Sequence, residues 1–415
     1  MAPTSACYDS TLRPLPIECV PLTLERVLDA RSTATSSLDP PIVYQPIIAY
    51  PSAHTMDATL LPYVLAKVHT AIQSKIFTSV LVVGAYTRLP PALVTASEKS
   101  NKPFNWQRPT AIVLGNPKDE ILHLHVFPGR AYVEHYAALV ATYVAAQAHI
   151  ESPNPTVHYL LPAADACIPL FTTSNLPRMG LVDIVVLGYV DLLPRCTGAA
   201  RWETGAEHDA AAAVAGATLF AWKKRTLRDG RRVAFVGCTT SYWGDIAGQL
   251  IRVLQVQNGV RAVVYVGKLG ALDAKHMPNA VLGTGSCSKF EDGRVVEWVS
   301  VLERAVQGVP GVVSGIHCTV ATSICETKEW LQDWSGKADW VDPEIGHMAV
   351  ACVEGDVQFG YLHVVSDNLS REDGEGLADE RNSTVWAGRT KLLQEVESVL
   401  ERYFSEGEVD GNKTS

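Results

Sequence analysis

The chain lacks the short signatures that give many functions away. No GxxxxGK[ST] phosphate loop, no GxGxxG after a strand, no HExxH helix and no GxSxG turn occurs. The commonest routes to nucleotide-dependent, zinc-protease and serine-hydrolase chemistry are therefore not written in it. Cysteine is present nine times but never as a CxxC pair. Cys238 and Cys352 sit in apolar runs, so reduced, packed thiols in the cytoplasm are expected and no disulfide framework or thiolate metal site. No basic segment followed by an apolar core opens the chain, and no uncharged apolar run is long enough to cross a bilayer, so neither a leader nor a membrane is expected. Positive charge is the minority: the net charge of -9 argues against a nucleic-acid partner. The one basic run, Lys223-Lys224-Arg225 with Arg228, Arg231 and Arg232, is expected to be a solvated hairpin.

What is present is the material of an α/β protein. With 415 residues, 47% hydrophobic and 19% charged, the chain is long enough for two units that each bury a core. Residues 1–40, rich in Pro, Ser and Thr, are expected to be a flexible arm, and 406–415 a disordered tail. Between them, 41–180 reads as a smaller α/β unit of unassigned role and 181–405 as a second unit. In the first, a helix is expected over 60–76, strands at TSVLVVGAY, TAIVLG and ILHLHVF, a helix over 131–149 and a strand at VHYLLPA. His123 and His125 alternate along one of these strands and face one side; with no third ligand in view, no metal is assigned. In the second unit, DIVVLGY, RRVAFVGCTT, RAVVYVGKLGAL, PGVVSGIH and FGYLHVVSD read as strands, GDIAGQLIRVLQVQ and TKLLQEVESVLERYF as helices, and LGTGSCSKF as a loop. Continuous apolar strands alternating with helices imply a sheet covered on both faces.

In an open α/β sheet, ligands gather at the carboxyl ends of the strands. Those ends here are Gly188, the stretch from Gly237 through Thr239 and Thr240, the stretch Gly267-Lys268-Leu269-Gly270, and Ser366-Asp367. A second acid, Glu344 in VDPEIGHMA, stands just before an apolar helical repeat. On residue pattern alone two readings are open. Either Asp367 closes a loop and Glu344 complements a helix dipole, or both belong to one site.

Taken together, these motifs resemble the nucleoside phosphorylase and nucleosidase superfamily over about residues 182–405. DIVVLGYVDLLPR is similar to its opening glycine strand, ATLFAWKKRTLRDGRRVAFVGCTTSYWG to its hairpin and glycine turn, and GQLIRVLQVQNGVRAVVYVGKLGAL to its helix and second glycine strand. VVSGIHCTVATS stands where the family's base-stacking segment lies, VDPEIGHMA where a Met-Glu opens a helix, and HVVSD where a strand ends in Ser-Asp. The resemblance implies a three-layer α/β/α domain with a mixed sheet, a homo-oligomer, a small-molecule substrate and no cofactor, with phosphate as a possible co-substrate. It implies that Asp367 protonates the leaving base, that Ser366 orients it, and that Glu344 accepts from the ribose hydroxyls. An acid at the base and an acceptor at the sugar both suit a reaction that builds negative charge on the base and positive charge on the sugar.

The departures from the family shift the expected reaction. Pro343 replaces the Met before the Glu, Tyr265 stands in place of a phosphate-binding arginine, and Ala217 lies near the place of the arginine that reaches a neighbour's phosphate site. Lys268 and Arg195 are the replacement cations, and Asp191 the acid nearest the place of the hydrolytic branch's base. Ile316, His317, Cys318 and Thr319 replace an aromatic base platform, so either the ligand is not a common purine or stacking comes from elsewhere, such as Tyr242 or Trp243; His347 follows Glu344 by one helical turn. Hydrolysis of an N-glycosidic bond in a nucleoside- or nucleotide-like molecule is thus expected over phosphorolysis. A scaffold carrying another small-molecule reaction, or a ligand sensor without turnover, are the alternatives.

Overall fold

A computed structural model describes residues 42–74, 77–86, 103–116, 119–147, 155–205, 218–371 and 383–410. The expected arm over 1–40, and Ala217, lie outside them.

The smaller sheet is built from β1 (Val43–Tyr44), β2 (Ser79–Gly84), β3 (Thr110–Asn116), β4 (Asp119–Val126) and β5 (Thr156–Leu160), in the order β1-β5-β2-β4-β3. Its centre, β5-β2-β4, is parallel, and β1 and β3 are antiparallel edges. The helix expected over 60–76 is two, α1 (Leu60–Lys67) and α2 (Thr70–Ser74), because Val68 turns extended to bury its side chain. The helix α3 (Arg130–Ala146) crosses behind, with Val133, Ala137 and Val140 fully buried.

The larger sheet has eleven strands. β6 (Ile184–Gly188) lies parallel between β8 (Arg232–Cys238) and β9 (Ala262–Ala271), and β9 runs parallel to β16 (Gln358–Asn368) along almost its whole length. β7 (Phe220–Thr226) pairs antiparallel with β8, the solvated hairpin that the basic run implied. LGTGSCSKF, expected as a loop, is instead two strands, β10 (Leu282–Thr284) and β11 (Cys287–Phe290), because β16 and the strands around it offer pairing partners. β12 (Val295–Glu297) and β13 (Val312–Ser314) sit at edges, and β14 (His317–Thr319) and β15 (Trp340–Asp342) bridge β11 to β9. PGVVSGIH therefore supplies two short strands rather than one.

The helices cover both faces, as the apolar strands require. α4 (Asp245–Asn258) and α6 (Ile345–Glu354) pack on one face, and α7 (Ser383–Asp410) on the other. α7 runs past residue 405, so its last turns take in part of the expected tail. α5 (Lys328–Trp334) lies over the β14 and β15 end. This is the expected α/β class: a mixed sheet in three layers, preceded by a smaller α/β sheet.

The two sheets share one apolar core, which includes Val80, Leu122 and Val140 of the first and Ile246, Val263 and Met348 of the second. Polar contacts lock the junction. The Asp245 carboxylate accepts from the N–H groups of Arg130 and Ala131, so an acid of α4 caps α3 across the divide. The segment before β3 docks alongside β8: Asn105 N–H donates to Cys238 O (2.7 Å), Gln107 N–H to Thr239 O (2.9 Å), and the Phe104 ring lies against Gly237, where any Cβ would overlap it.

Candidate functional site

The central acid is one that the motifs passed over. Asp342 ends β15, and its Oδ1 accepts from the N–H groups of Glu344 (3.0 Å) and Ile345 (2.9 Å), so it caps α6 and fixes the place of Glu344. Glu344 lies beside Tyr265, whose hydroxyl is 3.5 Å from its Oε2. Burial and the negative charge of Asp342 push the Glu344 carboxyl well above the usual range. Burial alone would raise Asp342 too, but His317, His363 and the Ile345 N–H hold it below its ordinary value. Of the two, Asp342 is thus favoured as the charged member and Glu344 as the neutral one.

Two histidines face that charge. His317 Nε2 is 3.0 Å from Asp342 Oδ1, and His363 Nε2 is 3.7 Å from Oδ2. Behind His317, Gly346 N–H donates to Thr319 Oγ1 (3.1 Å), Thr319 Oγ1 is 2.9 Å from Ser288 Oγ, and Ser288 Oγ is 2.9 Å from His317 Nδ1. Since Thr319 already accepts from Gly346, one consistent direction runs Thr319 O–H to Ser288, then Ser288 O–H to Nδ1, leaving the His317 proton on Nε2 facing the carboxylate. Tyr361 stands between the imidazoles, its ring 6.2 Å from that of His317 and 5.5 Å from that of His363.

Asp367 has different company. A bulge at Ser366 interrupts the β9–β16 ladder, so Val364 pairs with Lys268, Val365 with Leu269, and Asp367 with Gly270. The bulge turns Asp367 to the Lys268 side of the ladder. Ser366 Oγ donates to Asp367 Oδ1 at 2.6 Å. Burial pushes Asp367 above the usual carboxylate range, against the pull of that hydrogen bond and of the Lys268 and Arg389 charges. Two further acids stand nearby: Glu326 is pushed well above its ordinary value by burial and then by Asp367 and Glu291. Glu291 accepts from Trp330 Nε1 (2.9 Å) and is pushed up by burial to about 7.

Glu291 sets a stability prediction. Its folded value lies above its unfolded one, so its contribution is fully present below about pH 4.5 and is lost as pH rises through about 7. Glu291→Gln stays neutral and keeps an acceptor for Trp330. Between pH 5 and 8, urea unfolding should show the variant gaining about 2 to 3 kcal/mol on the wild type; a difference that does not move with pH would mean Glu291 is ionised in the fold.

The expected site residues thus divide. Glu344, His317 and Thr319 gather around Asp342, while Asp367, Ser366 and Lys268 form a second group at the bulge. Gly267 belongs with the first, since a Cβ there would meet His363 Nε2 at 2.9 Å. Gly188, at φ +96°, lets the chain turn so that Tyr189 N–H reaches Val266 O, and Tyr242 lies against its backbone. Cys318 alternates away from its neighbours into the cluster with Cys325 and Trp330, so it does not join His317 and Thr319. His347 packs edge-on against Phe290, and burial pulls it down to about 4. Trp243 stacks on His135, ring centres 3.9 Å apart, and donates to Ala321 O, so it holds the junction rather than a base.

Arg195 and Asp191 lie elsewhere, beside α7. The Arg195 N–H donates to Glu397 Oε1 (2.6 Å) and its guanidinium lies 3.4 Å from Gln394 O. With Asp191 it lines a cavity of about 330 Å³ against that helix. Thr240 is buried, touches Cys238, and lines a small cavity of about 20 Å³ between the sheets with Arg108, His125 and Ser241; the Thr239 carbonyl is taken by Gln107. Among the described residues no group of three His, Cys, Asp or Glu is arranged to hold a metal ion. The seven cysteines described are free, six of them buried. Asp342, His363, Ser288, Glu291, Glu326 and Arg389 are the partners that motif reading missed. The available signal was a polar residue inside an apolar strand, as in YLHVV and WVD.

These features define an α/β protein whose larger sheet carries two enclosed acid groups, one centred on Asp342 and Glu344, the other on Asp367. No protein-family model matches the chain. A curated relative, described as Oxidoreductase cns1 of Cordyceps militaris, is 28% identical over 342 residues, covering 73% of this chain and 41% of that protein. The chain thus spans about two fifths of the length of that relative. Solved structures with similarity over about half the chain include futalosine hydrolase of Helicobacter pylori, with 15% identity and TM-score 0.40, covering 55% of this chain and 99% of that one. A methylthioadenosine nucleosidase from Weissella paramesenteroides shows 17% identity and TM-score 0.41, covering 55% and 98%. The 5'-methylthioadenosine/S-adenosyl homocysteine nucleosidase of Campylobacter jejuni shows 14% identity and TM-score 0.42, covering 53% and 99%.

Proposed function

We propose that the chain cleaves the N-glycosidic bond of a nucleoside-like small molecule by hydrolysis, without a cofactor. The observation that carries this reading is Asp367: a carboxyl at the end of the central strand, raised above the ordinary carboxylate range by burial, and tied by Ser366 into one orientation. Such a group donates a proton to a leaving base. Glu344, which burial also pushes up and which is anchored through Asp342, has hydrogen-bonding capacity for sugar hydroxyls. Phosphorolysis is disfavoured because Arg195 is engaged with α7 and the turn after β8 is covered by residues 104–107.

The test is release of free base from adenosine, inosine, guanosine, uridine and 5'-methylthioadenosine, with and without phosphate. Release that is independent of phosphate is the expected result; no release from any of them would overturn the reading. A second reading, a scaffold carrying another reaction, draws on the relative named an oxidoreductase. Substrate-dependent oxidation of reduced nicotinamide with no base release would favour it.

A further inference from the structure

We infer that the cavity beside α7 is a second binding site, for a free amino acid: an ammonium and a carboxylate on one carbon, with an apolar side chain. The inference stands apart from the hydrolytic reading, since neither Asp367 nor Glu344 lines this cavity.

The cavity, of about 330 Å³, lies between the residues that follow β6 and the stretch of α7 from Thr390 to Glu397. Volumes of this order hold small molecules. Its wall is preformed. Glu397 is 2% exposed, and its Oε1 accepts from two successive backbone N–H groups in the short helical turn Pro194–Thr197, those of Arg195 (2.6 Å) and Cys196 (3.2 Å). The Cys196 thiol adds a contact to the Glu397 carbonyl at 3.7 Å. One side chain of α7 thus fixes the loop beyond the end of β6, and the space between them is held open by backbone bonds.

The groups left over define the ligand. Glu397 Oε2 takes no hydrogen bond from the described residues, and the side chain lines the cavity. Enclosed carboxylate oxygens are almost always satisfied, and a charged N–H donor satisfies them best. Arg195 is not that donor. Its guanidinium lies along α7 with one long contact, Nη1 to Gln394 O at 3.4 Å, and no carboxylate among the described residues stands within ion-pair distance of it. Opposite charges therefore line one cavity without pairing with each other.

A molecule that carries both charges completes both groups. An ammonium suits Glu397 Oε2, and a carboxylate suits the guanidinium fork of Arg195. Leu192, Pro194 and Leu393 supply an apolar wall for the side chain. A lone anion such as phosphate meets the carboxylates of Glu397 and Asp191, and a lone amine meets Arg195, so neither is matched as well as a zwitterion. Pro194, Arg195 and Gln394 are exposed, which leaves the cavity open to solvent on that side.

The experiment titrates the full chain by calorimetry with L-leucine, L-methionine and L-phenylalanine. Beside them run isocaproate, which keeps only the carboxylate of leucine, isoamylamine, which keeps only its amine, and inorganic phosphate. At least one of the amino acids is expected to bind and to raise the melting temperature, with isocaproate, isoamylamine and phosphate weaker by about tenfold or more. Arg195→Gln and Glu397→Gln are each expected to weaken that binding by about 10- to 100-fold. Glutamine at 397 keeps an acceptor for the two N–H groups; should Glu397→Gln fail to fold by circular dichroism, Arg195→Gln, which alters an exposed side chain, decides. No binding of any of the three amino acids overturns the inference. So does a single-charge analogue that binds as tightly as the amino acids, or an affinity that survives Arg195→Gln within about threefold. Base release plays no part in the readout, so the outcome does not depend on the hydrolytic reading.

Discussion

Gly188→Ala is expected to cost the fold about 3 kcal/mol or more. Two independent terms add. The backbone stands at φ +96°, a conformation that L side chains rarely adopt, worth about 1 to 3 kcal/mol. The new methyl would also overlap the Val266 carbonyl oxygen and press on the Tyr265 ring, in an interior with no slack, for a similar further amount. Since Tyr189 N–H bonds that same carbonyl, the strand end cannot shift away without breaking the bond that closes the turn. Urea unfolding reads the effect directly; a midpoint unchanged from wild type would mean that β6 and β9 are not held at this spacing.

Asp367→Asn is expected to lower base release by about 10² to 10⁴ while leaving the melting temperature within a few degrees. The amide keeps an oxygen for Ser366 to donate to, and removes only the acid proton. The folded acid titrates above its ordinary value, so wild-type activity should fall as pH rises through that raised value, where Asp367 loses the proton it must give. Ser366→Ala frees the carboxyl of the hydrogen bond that pulls it down, so its proton should be held to still higher pH. A variant with wild-type rate would remove Asp367 from the chemistry and leave it as a loop residue of the bulge.

Much of this architecture was legible in the residues. Short, largely apolar runs such as DIVVLGY and RAVVYVGKLGAL, rich in β-branched residues and ending in glycine, read as strands covered on both sides, and the structure puts helices there. LGTGSCSKF was not legible as strand because its pairing is non-local: Cys287 to Phe290 gains its partner from His317 to Thr319, across a distance that local pattern cannot see. The site was half legible for the same reason. Acids next to helix starts and strand ends announce themselves, so Glu344 and Asp367 stand out. Asp342 and His363 lie inside apolar strands, where a polar residue reads as an interruption until the fold brings the two together. Cys318 shows the converse: its neighbours in sequence enter the network, and strand alternation sends it the other way. Arg195 offers a cation soon after Gly188 in sequence, but the short helical turn that carries it points to α7.

The shared core between the two sheets has a consequence for how the chain behaves as a polymer. Asp245 caps a helix made more than a hundred residues earlier, and the Phe104 ring waits for Gly237. A ribosome releasing the first half would expose Val80, Leu122 and their neighbours before the surface that covers them exists. Cutting the chain near residue 180 would therefore yield two adhesive pieces in place of two modules, and the halves would be expected to regain solubility only when made together.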